Sequence, residues 1–146
     1  MSEQVYPPHG EVRQRRQGQL LIADLHGPWN LECIRDAVRR ADPVIDDMLR
    51  DGPVGIVIVV HDSMLGTHDA LTEIHDRSAD RGRNVEIPVA WVAPPEIEGR
   101  DVMVNVLEDV YRGTLPMRTF SDFDSAVSWI RSIIQPAPTR ARLALR

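Results

Sequence analysis

From the amino terminus, the chain alternates between short apolar runs and longer amphipathic stretches. EVRQRR (Glu11 to Arg16) is polar and fits an edge strand, its arginines discouraging pairing with other chains. Gln17-Gly18 turns it into LLIADL (Leu20 to Leu25), so the two read as a hairpin. Gly27-Pro28 stops the second strand, and Asn30 stands where a helix N-cap belongs. Trp29 before that cap and Ile34 in the first turns fit a hydrophobic staple. The apolar set Leu31, Ile34, Ala37, Val38, Ala41, Ile45, Met48 and Leu49 keeps helical period on one face. Pro43 interrupts the pattern without changing its phase, which predicts one kinked helix or two nearly collinear ones.

VGIVIVV (Val54 to Val60) has no alternation and is β-branched, the pattern of a strand buried on both faces. A helix over Thr67 to Arg81 follows, with Ala70, Leu71, Ile74 and Ser78 inward and Asp69, Glu73, Asp76 and Asp80 outward. EIPVAWVA (Glu86 to Ala93) is the next strand, and Pro88 sets it near an edge or a strand start. Pro94-Pro95 breaks it. A Val- and Leu-rich helix then runs to about Arg112, with Gly113 as its stop. MRTF (Met117 to Phe120) is a short strand, and Ser121 or Asp122 caps a last helix. That helix carries Phe123, Ala126, Val127, Ile130, Ile133 and Ile134 along one side.

The order β-β-α-β-α-β-α-β-α predicts a single α/β domain over 10–134, a mixed, mostly parallel sheet covered by helices. Residues 1–9 form an N-terminal extension, and 135–146 (QPAPTRARLALR from Gln135) a flexible tail, because neither has an apolar period.

Composition narrows the function classes. At 146 residues the chain is long enough to bury a core without staples, and Cys33, its single cysteine, cannot pair internally. No apolar run approaches the ~20 residues of a membrane helix, and no signal segment opens the chain, so a cytoplasmic protein without membrane insertion is expected. A formal charge of -5 speaks against a nucleic-acid partner. All 17 basic residues are arginine; Arg13, Arg15 and Arg16 with Arg140, Arg142 and Arg146 make a candidate basic strip.

Three segments carry a family resemblance: EVRQRRQGQLLIADLHG at the start, VGIVIVVHD leading into a helix, and the closing TFSDFDSAVSWI. The last is similar to an F-x-x-x-x-x-A-x-x-W-[LI] ending. Together they resemble the STAS domain, the fold of bacterial anti-sigma-factor antagonists, and its SpoIIAA-like relatives, over nearly the whole chain. The resemblance implies a non-catalytic, regulatory protein-interaction module. It docks a partner near the start of the helix after the central strand, where a phosphorylated serine or threonine in D-S-[ST]-G-[LV] releases the partner. An ungapped alignment puts Asp69 at the acceptor position, in Thr67-His68-Asp69-Ala70-Leu71; a shifted one makes Ser63 the phosphoacceptor. Ala70 replaces the motif's glycine, and the serine pair is missing. A looser likeness to the CRAL-TRIO lipid-carrier domain implies, as an alternative, a carrier or sensor of a small apolar or acidic ligand.

Ligands of open α/β sheets sit beyond the carboxyl ends of the strands. That edge is expected to hold His26, His61, Asp62, Ser63, Thr67, His68 and Asp69, with a groove near Trp91. His-Asp recurs at 61, 68 and 75, but on a helix His68 and His75 stand about 10.5 Å apart, against the i,i+3 or i,i+4 spacing of chelating pairs. No metal and no cofactor is therefore assigned. Cys33 near a helix start, and Asp24, His26 and Ser63 as a triad, are the only enzyme-like sets, and no nucleophile elbow supports them. The expectation is a binding module rather than a metal- or thiol-dependent enzyme. Its partner, whether protein, small ligand or a second copy in a homodimer, stays open.

Overall fold

The computed structural model describes residues 8–135. Its elements are β1 (Glu11–Gln17), β2 (Leu20–His26), α1 (Leu31–Asp51), β3 (Gly55–His61), α2 (His68–Gly82), β4 (Val89–Val92), α3 (Arg100–Tyr111), β5 (Met117–Phe120) and α4 (Phe123–Ile134). The five strands lie in sequence order β1-β2-β3-β4-β5, β1 antiparallel to β2 and every other pair parallel. The predicted single α/β domain is thus the observed one, with β1 on an edge. Most of the two predicted extensions falls outside the described residues.

Sequential order decides where the helices go. Parallel strands added in one direction through right-handed crossovers send every crossover helix to one face. Leu21, Ala23 and Leu25 of β2 accordingly share one core with Ile34, Ala41 and Met48 of α1, Ile74 of α2 and Leu107 of α3. The alternate residues Leu20, Ile22 and Val57 meet Ala126, Val127 and Ile130 of α4 on the other face. α4 packs on β3, β4 and β5 and reaches β2 only at Leu20 and Ile22, so on that face β1 and the carboxyl end of β2 carry no helix. The charges of β1 follow from this: Glu11, Arg13 and Arg15 lie on the bare side, while Val12 turns to the helices.

Asn30 and Asp122 are caps as expected, while Thr67, expected as the first residue of α2, is its cap. The Asn30 side chain accepts the Cys33 N–H, that of Thr67 the Ala70 N–H, and that of Asp122 the Ser125 N–H. α1 runs through Pro43 as one helix, the first of the two alternatives. β4 is shorter than predicted, Val89–Val92, because Pro88 precedes the ladder as a lead-in; its carbonyl still accepts the Ile56 N–H at 3.0 Å. α3 begins only at Arg100, since 94–99 are spent in turns after the proline pair. Among the described residues, no helix is long and apolar enough to cross a membrane.

Candidate functional site

Two places gather chemistry, and they lie on opposite faces of the sheet. The first is polar. Parallel register sets His26 opposite His61 at the last rung of β2 and β3. Strand parity points both rings to the face that α4 leaves bare, where they stack with centroids 4.4 Å apart and planes 12° apart. Asp24, two residues before His26, joins them there. One oxygen accepts His61 Nε2 at 2.8 Å and the other accepts Arg15 Nη1 at 3.1 Å. His26 Nδ1 donates to Asp62 at 3.3 Å, and Asp62 holds a left-handed φ of 67° just past the strand.

Of the predicted edge residues, this cluster collects His26, His61 and Asp62. Ser63 is buried, and its hydroxyl accepts the Leu65 N–H at 3.2 Å, so a kinase would have to open the loop to reach it. Thr67 caps α2 and bonds the Asp69 carboxylate. His68 and Asp69 are exposed in the first turn of α2, across the sheet from the stacked pair. The expected convergence of three histidines is therefore a pair, because α2 belongs to the other face. His75 is engaged elsewhere, Nδ1 donating to the Val110 carbonyl at 2.8 Å and tying α2 to α3.

The triad reading fails on the same geometry. Asp24 orients His61, Asp62 orients His26, and the Ser63 hydroxyl serves a backbone N–H. Cys33 is buried among the residues of the opposite core, and desolvation, with Asp36 adding to it, pushes its thiol up. That is the reverse of a reactive cysteine. Among the described residues, no group of three or more His, Cys, Asp or Glu is arranged to hold a metal ion.

The second place is apolar. A part-open cavity of about 160 Å³ lies between the sheet and the crossover helices. β2 contributes Leu21, Ala23 and Leu25, β3 Ile56 and Ile58, α1 Ile34, Ala37, Ala41 and Ile45, and α2 Ile74 and Ser78. Three of these are alanines on facing elements, so the layers stand at helix-on-sheet distance with little between them. Trp91 and Tyr111 close one wall, Trp91 Nε1 donating to the Tyr111 oxygen at 3.1 Å. Burial drives the Tyr111 phenol up to about 12, although Trp91 and Ser78 as hydrogen-bond partners pull the other way. It stays neutral at any physiological pH.

Charges touch the cavity only at its rim. Arg81 spans the α1–α2 seam, Nη1 to Asp46 at 2.7 Å and Nη2 to Asp42 at 3.0 Å. These carboxylates hold its guanidinium above the usual value against the cost of desolvation. Arg77 is held by Asp80 at 3.1 Å and by Glu73 at 3.7 Å.

A groove at the carboxyl edge, uniting the histidines with Trp91, is thus not what forms. Such a crevice opens where strand order reverses and neighbouring connections leave on opposite faces. In the order β1-β2-β3-β4-β5 the three crossovers stay on one face, so the hollow lies beneath the helices. Trp91 lines it, and the stacked histidines face away. Sequence reasoning named Ala37, Ala41, Ile74 and Ser78 as inward positions but saw no void there. Tyr111 and Arg81 carried no motif. Among the described residues, one buried side-chain polar atom, Trp29 Nε1, has no hydrogen-bond partner.

No protein-family model matches the sequence, and no curated protein matches it. The fold has solved counterparts. One is the crystal structure of an uncharacterised protein of the DUF3478 family from Shewanella loihica PV-4, described as having a SpoIIAA-like fold. It aligns with a TM-score of 0.53 at 13% identity, over 88% of this chain and 99% of that one. At that identity the likeness is one of fold. The chain has the SpoIIAA-like fold that the resemblance implied.

Proposed function

We propose that this SpoIIAA-like domain is a non-catalytic, cytoplasmic carrier or sensor of a small apolar ligand held between the sheet and helices α1–α3. The observation that carries this reading is the part-open, apolar cavity of about 160 Å³. Protein interiors are close-packed, so apolar space of this size between sheet and helices forgoes contacts that its walls could make. An engineered cavity of about 150 Å³ with such walls stays dry and takes up benzene or xenon. A ligand here would supply the missing contacts. The non-enzymatic assignment draws on the separation of Cys33 from the histidines and on the orienting carboxylates being spent on each other's neighbours.

Benzene titration with thermal unfolding tests it. Ligand that binds only the folded state raises the melting temperature with concentration. The wild type is expected to show that rise, and Ala37→Leu, which fills the cavity, to lose it. No rise near benzene saturation, or an equal rise in both proteins, overturns the reading.

Partner docking at the start of α2 is a second reading, favoured by Leu65. It stands 39% exposed amid Asp62, Thr67, His68 and Asp69, and it packs on Gly99 before α3, where Val102 is 64% exposed. Exposed apolar side chains of this kind among polar residues suit a protein partner. Leu65→Arg with Val102→Arg is expected to abolish capture of that partner; unchanged capture removes the reading.

A further inference from the structure

We infer that the cavity selects a neutral aromatic or alicyclic ligand of one to two rings, with a single hydrogen-bonding group directed at Ser78, and rejects carboxylates. This deepens the proposed ligand-binding role and rests on it. The argument comes from what the walls can still offer. Two cations border the cavity, and neither is free. Arg81 is held by Asp42 and Asp46 across the α1–α2 seam, Arg77 by Asp80 and Glu73 along α2. Arg35 and Arg83 also pair with Glu73 and Asp80, so the charges at the rim are matched and an incoming carboxylate finds no unpaired partner there. Deeper in, the walls are aliphatic, and a charge there would lose its water without compensation.

The polar groups on the walls are also nearly all spent. Gln14 donates its amide to the Ala37 carbonyl at 3.0 Å, and Trp91 donates to Tyr111. Ser78 differs. It is buried on the inner face of α2 and lines the cavity beside Tyr111, whose phenol it pulls down against burial. A serine hydroxyl has one donor and two acceptor positions, so it can serve Tyr111 and a ligand at once. A ligand hydroxyl reaching the Tyr111 end can therefore donate to the Ser78 oxygen. The volume sets the size, since a cavity of about 150 Å³ holds benzene.

The test uses benzene, phenol and benzoate at pH 7 on the full chain, with affinities read by calorimetry. Phenol is expected to bind about threefold or more tighter than benzene, as one net hydrogen bond allows. Benzoate is expected to bind at least about tenfold more weakly than benzene. Ser78→Ala should erase the phenol advantage while benzene still binds, which shows that the variant is folded. Benzoate binding as well as benzene, or a phenol advantage surviving in Ser78→Ala, overturns the selectivity and leaves the ligand-binding role standing. Binding of none of the three overturns both.

Discussion

His26 and His61 stack face to face because β2 and β3 are parallel and in a register that ends both strands on the same rung. Each imidazole then finds its own carboxylate, Asp62 for one and Asp24 for the other. The arrangement staples the carboxyl end of the sheet on its bare face. It takes no part in the cavity, which the sheet separates from it.

That separation is testable. His61→Ala removes the stack and one hydrogen bond to a charged group, and should cost about 1 kcal/mol in urea unfolding. Benzene affinity should stay within about twofold of the wild type, as for sites without shared partners. A large loss of affinity would show that the two faces are coupled.

Ala37→Leu should stabilise the ligand-free protein. Three added carbons enter space already enclosed by Leu21, Ile34 and Ile58, at about 0.8 kcal/mol each, so a gain of about 2 kcal/mol is expected in denaturant unfolding. A loss of stability would mean that the walls already close on the site.

Tyr111 makes the alkaline limb of stability steep. Its phenol titrates near 10 unfolded and at about 12 folded. A raised folded value contributes stability that is whole below pH 10, because the proton is then on the phenol in both states. It is lost as pH rises from about 10 to about 12, at up to about 1.4 kcal/mol per pH unit. Tyr111→Phe should flatten that limb in unfolding followed against pH. An identical slope in the variant would assign the loss to other groups.

Gly66 is held to glycine by contact. A Cβ there would meet the buried Trp29 ring at 2.2 Å. Gly66→Ala should destabilise by about 1–3 kcal/mol, the usual cost of overpacking. Calorimetric unfolding with a change under 0.5 kcal/mol, on the order of a neutral surface substitution, would show that the loop moves aside.

Cys33 should behave as a core residue. With its thiol pushed up and buried, native protein near pH 8 should resist alkylation, and denaturant should restore the ordinary rate. Fast alkylation of native protein would return the thiol to the list of reactive groups.

The nine elements were legible because each rests on a local signal: the inward period of α1, the unbroken β-branched run of β3, the side-chain caps of α1 and α4. Strand order is not local. Whether β3 sits in the middle, and whether the crossovers share a face, depends on how units dock, and the edge groove was expected only because that order was unknown. The polar cluster was half legible. Asp24 and His26 share a face by parity, but His61 joins them only through the β2–β3 register. The cavity was not legible at all. Ala23, Ala37 and Ala41 read singly as ordinary core positions, and the void exists only where they face one another. Tyr111 and Arg81 matter there through partners far along the chain, Trp91 in one case and Asp42 and Asp46 in the other.

The most direct measurement is a crystal of the ligand-free protein pressurised with xenon, which reports occupancy of apolar space without relying on any chosen ligand. The account predicts a xenon peak between α1 and the sheet, in contact with Ile34, Ile58 and Ile74, that vanishes in Ala37→Leu. Walls closed on one another, with no xenon among them at saturating pressure, would contradict it.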